Sequence, residues 1–152
     1  LGGPRDQKDC DQIAQAAAAK AKAKATREVA DPADQIKNLA GQTSLTDVVD
    51  LLAAASVAVC NDSGLMHVAC AVGTPVIALY GSTSPGFTPP LHPEARALTL
   101  VEIDGGANKL SCQPCFERTC RYGHGNCLSE LLPTHVCNRL KALGIFNGAQ
   151  LP

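Results

Sequence analysis

Uninterrupted apolar runs separated by small-residue turns set the pattern of this chain. Val57-Ala58-Val59-Cys60 and Val76-Ile77-Ala78-Leu79-Tyr80 show no polar alternation, which predicts strands covered on both faces. Ile36 to Ala40 and Ala97 to Ile103 are further strand candidates, the second followed by an Asp104-Gly105-Gly106 turn. Leu1-Gly2-Gly3 reads as the last residue of a strand followed by a glycine turn, with the strand itself missing. Elsewhere the period is helical. Arg5 to Arg27 is an alanine-rich helix, with Asp6 and Asp9 near its start and Lys20, Lys22, Lys24 and Arg27 near its end, the order the helix dipole favours. Asp31-Pro32 breaks it. A second helix runs from Leu45 to Ala55, with Leu45, Val48, Val49, Leu51 and Leu52 on its apolar side. Ser44 and Asp47 approximate a capping box at its start. A third, short helix covers Val68 to Val72; Gly73 closes it and Pro75 stops it from continuing.

Strands alternating with helices, with apolar strands, predict an α/β fold: a Rossmann-like parallel sheet with helices on both faces. Ligands of such sheets bind at the carboxyl ends of the strands. Three turns are expected on that edge: Gly2 to Asp6, Gly41 to Ser44, and Asn61 to Gly64.

Composition narrows this. The 152 residues suffice for one domain with a core, and 45% hydrophobic with 3% aromatic residues and no Trp makes that core Ala, Val and Leu. A net charge of -1 excludes the whole-chain basic field of a typical nucleic-acid binder. No apolar run approaches the roughly 20 residues that span a bilayer. The first residues, Leu1-Gly2-Gly3-Pro4, are neither an initiator Met nor a signal peptide, and the chain is expected to be cut from something longer.

The candidate chemistry centres on Asn61-Asp62-Ser63-Gly64-Leu65-Met66-His67. Strand, tight turn and helix is the layout that cradles a phosphate on free N–H groups. Asp62 and Ser63 are good N-cap residues, Gly64 permits a sharp turn or close approach to a ligand, and His67 returns to the same face one helical turn after Ser63. The alternative is a well-capped helix whose histidine bonds locally. Between Gly81 and Pro93 lies a Pro- and Gly-rich loop that leaves the same edge, either functional or a surface crossover.

Eight cysteines fall into two groups. Cys10, Cys60, Cys70 and Cys137 stand singly, as small hydrophobes do. Cys112-x2-Cys115-x4-Cys120-x6-Cys127 is a cluster whose first pair has metal-knuckle spacing, with Gly123 and Gly125 to bend the later part. A structural zinc or iron site competes here with reduced or partly disulfide-linked thiols, and with a redox role. His124 could replace one thiol. Arg118 and Arg121 lie between the cysteines, facing either phosphates or solvent.

Taken together, Asn61 to His67, Gly73-Thr-Pro-Val-Ile-Ala-Leu-Tyr-Gly-Ser-Thr-Ser-Pro-Gly-Phe-Thr-Pro-Pro90, Asn38-Leu-Ala-Gly-Gln-Thr-Ser-Leu45 and Cys112-Gln-Pro-Cys115 through Pro133 resemble glycosyltransferase family 9, the ADP-heptose:lipopolysaccharide heptosyltransferases, and their type II in particular. The resemblance implies a GT-B architecture of two Rossmann-like halves. It makes residues 1–152 a single nucleotide-sugar-binding domain, the C-terminal half truncated at its N-terminus, with a Cys-rich loop at 109–130. It implies ADP-heptose as donor, bound by Asp62 on the sugar, Ser63 and Gly64 at the diphosphate with His67 close by, Asp6 on the ribose and Thr43 at the adenine, with Leu65 also among the donor-binding residues. For Asp6, a helix-start charge is the competing reading. It further implies a lipopolysaccharide core acceptor and a general base on the absent N-terminal half, so no catalytic residue is expected on this chain and the fragment alone should be inactive. No carboxylate pair is present to hold a divalent metal beside the diphosphate, and no cofactor is expected for catalysis. Work at the cytoplasmic face of the inner membrane, by peripheral association, goes with that reading. The alternatives are a family member with another sugar donor or a protein acceptor, and a non-catalytic nucleotide- or metal-binding module.

Overall fold

A computed structural model describes residues 1–24, 36–103, 106 and 110–145. The expected break at Asp31-Pro32, the helix end at Arg27 and the Asp104-Gly105 turn lie outside these residues. The chain forms two compact units, Leu1–Val48 and Val49–Pro152.

In the first unit, a 3-10 turn, Pro4–Asp6, leads into helix α1, Gln7–Lys24. Pro4 stands at its first position, where the missing N–H costs nothing. The expected strand at Ile36 to Ala40 is not formed: residues 36–39 are irregular and Ala40 begins a turn. Its polar groups are satisfied through the Asn38 side chain instead of in a ladder. Asn38 Oδ1 accepts from the Ala40 N–H (2.9 Å), while Asn38 Nδ2 donates to the Gln7 carbonyl and to Asp11 Oδ1 (3.0 and 2.7 Å). One backbone bond, Gly41 N–H to Gly2 O at 2.9 Å, joins the first two of the expected turns. Gly41 has φ +70 and its α-carbon faces Pro4, so a side chain is excluded there on both counts.

Helix α2, Leu45–Ala54, starts in the first unit and continues into the second. Val48 and Leu52 are buried, whereas Leu45 and Leu51 are exposed, so its apolar side is narrower than its sequence.

The second unit holds the sheet. Strands β1 (Ala58–Asn61), β2 (Val76–Leu79) and β3 (Arg96–Leu98) pair in parallel in that order. Ala58 stands opposite Val76, and Ile77 opposite Arg96. Helix α3, Gly64–Ala71, crosses between β1 and β2. It begins four residues before the predicted Val68. Only the central strand matches the expectation of burial on both faces: Val76, Ile77 and Ala78 are fully buried. β1 lies at the edge of the described sheet and alternates, with Val59 47% exposed.

The core of this unit centres on Val76, Ile77 and Ala78 of β2 with Tyr80, on Met66, Ala69 and Cys70 from α3, and on Leu98 and Leu100, with Leu52 and Leu140 at its margin. Thr74, also buried, donates its hydroxyl to the Leu52 carbonyl at 2.6 Å and so ties the α3–β2 turn to α2. The expected strand Ala97 to Ile103 stops early. Thr99 Oγ1 accepts from the Glu102 N–H (3.2 Å) and starts a short helix, α4, Leu100–Ile103, where β-strand propensity alone would have continued. Two further helices follow, α5 (Asn126–Ser129) and α6 (Pro133–Ala142). The apolar pattern does not mark α6; Pro133 at its first position is its signal in the sequence, and Leu140 anchors it in the core. No described helix is long and apolar enough to cross a membrane.

Candidate functional site

β1 ends at Asn61, and the chain turns through Asp62 and Ser63 into α3. The Asp62 N–H donates to the Leu79 carbonyl (3.2 Å), so the turn sits at the carboxyl end of two paired strands. Ser63 is the N-cap, with extended backbone (φ -157, ψ 168), but its side chain makes no capping hydrogen bond. Asp62 does not cap either. Its Oδ2 accepts instead from the Thr88 hydroxyl at 2.7 Å, across 26 positions of sequence. The well-capped-helix alternative is therefore not what is built. Among the described residues, the N–H groups of Gly64 and Leu65 find no protein acceptor.

Gly64 is not in the left-handed region, and a Cβ built on it meets nothing within 4 Å. The fold itself does not demand glycine there, and the space over the helix start is open. His67 is exposed and Leu65 half-buried on the same first turns.

Thr88 belongs to the Pro-rich loop. That loop is ordered by its own turns, with Phe87 and Thr88 N–H groups both donating to Ser84 O (3.0 and 3.3 Å). It is also anchored from below. Tyr80, fully buried just after β2, donates its hydroxyl to the Thr88 carbonyl, and Met66 Sδ lies 3.4 Å from the Tyr80 hydroxyl oxygen. Burial first, and then the nearby Asp62 carboxylate, push the Tyr80 phenol up to about 12, so it remains a donor at any working pH. Cys60 is pushed up to about 11, chiefly by burial, and stays a thiol. The sequence pattern does not mark Tyr80 or Thr88 as site residues. Tyr80 read as strand, and nothing in a linear pattern pairs a loop threonine with an aspartate 26 positions away.

Asp6 and Thr43 belong to the first unit. Asp6 Oδ2 accepts from the Gly3 N–H at 2.8 Å, which is the helix-start role that competed with a ribose contact. Thr43 is half-buried just before α2.

The four clustered cysteines line one cavity of about 220 Å³, together with His124 and Arg118. All four are free and half-buried. Yet among the described residues no three His, Cys, Asp or Glu side chains are placed to hold a metal ion, so the thiols share a cavity without forming a ready ligand set. Backbone N–H groups of Gly125 and Tyr122 hold the Cys120 thiol below its ordinary value. Burial, reinforced by the other three thiols, raises Cys127. His124 is not poised as a substitute ligand at Nδ1, which accepts from the Asn126 N–H (3.0 Å), and its ring stacks on Tyr122. Arg121 pairs with Glu117 at 3.0 Å on the surface.

A parallel α/β sheet with an uncapped helix start and a loop-held carboxylate at its strand ends is a Rossmann-like arrangement. Residues 6–125 match the model of glycosyltransferase family 9 (heptosyltransferase), and the chain belongs to that family. It is 43% identical over 107 residues to lipopolysaccharide heptosyltransferase 2 of Escherichia coli K12, covering 70% of this chain and 28% of that protein. It is 57% identical over 65 residues to lipooligosaccharide heptosyltransferase 2 of Haemophilus influenzae, covering 43% and 19%. The solved structure of the E. coli ADP-heptose lps heptosyltransferase II superposes with a TM-score of 0.67 at 32% identity, over 95% of this chain and 35% of that one. The chain thus spans about a third or less of the length of these relatives.

Proposed function

We propose that the intact protein transfers a heptose from ADP-heptose to the inner core of lipopolysaccharide, at the cytoplasmic face of the inner membrane, and that this chain supplies most of the donor-binding half of a GT-B enzyme. Membership of family 9 and the names of the relatives support the donor and acceptor. The observation that carries the site assignment is the open start of α3, with Asp62 turned away from it and held by Thr88.

In this reading the diphosphate lies over Ser63, Gly64 and Leu65. As the acceptor hydroxyl attacks the anomeric carbon with inversion, the bond to the diphosphate oxygen breaks and negative charge gathers on the departing ADP. Unpaired N–H groups already aligned with the helix dipole stabilise that charge without reorganising. Asp62 spends Oδ2 on Thr88 and offers Oδ1 to a sugar hydroxyl. His67, exposed one turn along, faces the departing group. Asp6 at the ribose and Thr43 at the adenine belong to the same proposal and rest on the resemblance. The base that takes the acceptor proton lies on the other half.

The test is release of ADP by the intact protein in the presence of a lipopolysaccharide core acceptor. ADP release that depends on both ADP-heptose and the acceptor is expected. Turnover of other nucleotide sugars with no response to ADP-heptose would overturn the proposal.

A further inference from the structure

Phe116, inside the Cys-rich segment, has φ +56, and among the described residues it is the one position other than glycine with a positive φ. A side chain in that left-handed region crowds the following carbonyl oxygen, which is why glycine usually takes such places. Burial does not offset the cost here, since the ring is 53% exposed. Strain of this kind persists where the surroundings impose it, and it gathers at sites with a task.

The surroundings are the residues that follow β2. Cys115 and Phe116 N–H groups both donate to Ser82 O, at 3.0 and 2.8 Å, and Gln113 Nε2 donates to Gly81 O at 2.6 Å. From the far end of the Cys-rich segment, Leu128 packs so closely on Gly81 that a Cβ there would lie 2.5 Å from its Cγ. The segment thereby clamps the root of the Pro-rich loop that carries Thr88.

Its left-handed turn carries the Phe116 ring further along the same loop, onto Phe87, which it meets edge to face at 5.2 Å. Phe87 is 74% exposed, so few other contacts hold its ring. It stands next to Thr88, whose hydroxyl holds Asp62 Oδ2 and whose carbonyl is held by Tyr80. One strained residue therefore grips the loop twice, by its backbone at Ser82 and by its ring beside Thr88.

We propose that Phe116 is a positioning residue of the donor site: it fixes the Gly81–Thr88 loop from the Cys-rich side, as Tyr80 does from the core, and so keeps the Thr88 hydroxyl on Asp62. It acts through Thr88 and touches no substrate. This role rests on the donor reading of the Asp62 turn, and it gives the Cys-rich segment a part there. A loop released at Phe87 leaves Asp62 less well held, so donor binding weakens while the fold, whose core lies elsewhere, is kept.

The test is calorimetric titration of the intact protein with ADP-heptose, alongside thermal melting. Phe116→Gly keeps the N–H on Ser82 O and relieves the left-handed backbone while removing the ring. Donor affinity weaker by about fivefold is expected, the scale of a lost aromatic pair, with a melting temperature within about 2 °C of wild type. Phe116→Tyr, which keeps the ring, should restore affinity to within about twofold. In a Thr88→Val background Phe116→Gly should cost nothing further, because the bond it steadies is already gone. Should Phe116→Gly fail to fold, Phe87→Ala removes the same ring contact at an exposed position and should show a like loss of about fivefold. Unchanged affinity when the ring contact is removed, or a loss that Thr88→Val leaves undiminished, would overturn the role. Asp62→Ala separates it from the donor reading. If Asp62→Ala weakens binding and loss of the ring contact does not, the role of Phe116 alone falls; if wild type and Asp62→Ala bind ADP-heptose equally, the donor reading falls and this role with it.

Discussion

Helices α2 and α3 both begin at a serine with an aspartate nearby, and they use these residues in opposite ways. At α2, Ser44 Oγ accepts from the Asp47 N–H (3.2 Å) while Asp47 Oδ2 accepts from the Ser44 N–H (2.8 Å) and hydroxyl (2.7 Å). The first turn is closed by its own side chains, and those bonds hold the Asp47 carboxyl below its ordinary value. At α3, Ser63 caps nothing and Asp62 is drawn off by Thr88. A helix start that satisfies itself has nothing left for a ligand. One whose capping residues are engaged elsewhere keeps its N–H groups and its dipole available.

The widest separation between the two starts should appear in function. Asp62→Ala in the intact protein is expected to lower kcat/KM for ADP-heptose by about a hundredfold, the scale of a hydrogen bond to a charged group lost from a site. Ser44→Ala should leave kcat/KM unchanged. Next comes the support of the carboxylate. Thr88→Val keeps the volume and the backbone bond to Tyr80 but removes the donor to Asp62, and about a tenfold loss in donor affinity is expected by calorimetry.

The order reverses for stability. Ser44→Ala should lower the melting temperature by about 2–4 °C, as loss of a cap does. The deficit depends on pH with a definite sign. Because the folded Asp47 carboxyl titrates below its unfolded value, its contribution is present above the unfolded value and is lost as pH falls through the folded one. The gap between wild type and Ser44→Ala should therefore close in acid. Smallest of all is Ser63→Ala, whose side chain caps nothing; a change within about 0.5 kcal/mol is expected. A loss as large as that of Ser44→Ala would erase the distinction between the two helix starts.

The same contrast shows what the sequence could reveal. The strand-turn-helix at Ala58 to Ala71 and the central strand at Val76 were legible, because an uninterrupted apolar run has few ways to be satisfied other than burial between helices. Ser44 and Asp47 were legible too, since a capping box is written three positions apart. The role of Asp62 was readable only as a choice between cap and ligand. Its partner Thr88 and the anchor Tyr80 are joined to it by folding alone, through a loop whose composition predicts irregularity but not contacts. Ile36 to Ala40 misled for a related reason: it has strand composition, but Asn38 satisfies the local backbone from its side chain. Likewise the spacing of Cys112 to Cys127 announced a cluster, and the structure adds what it clamps.

The central claim is that the open start of α3 holds the donor while the closed start of α2 does not. Calorimetric titration of the intact protein with ADP-heptose, comparing wild type, Asp62→Ala and Ser44→Ala under one condition, tests it directly. Binding weakened by about a hundredfold in Asp62→Ala alone is the expected result. Equal affinity in all three proteins would contradict it.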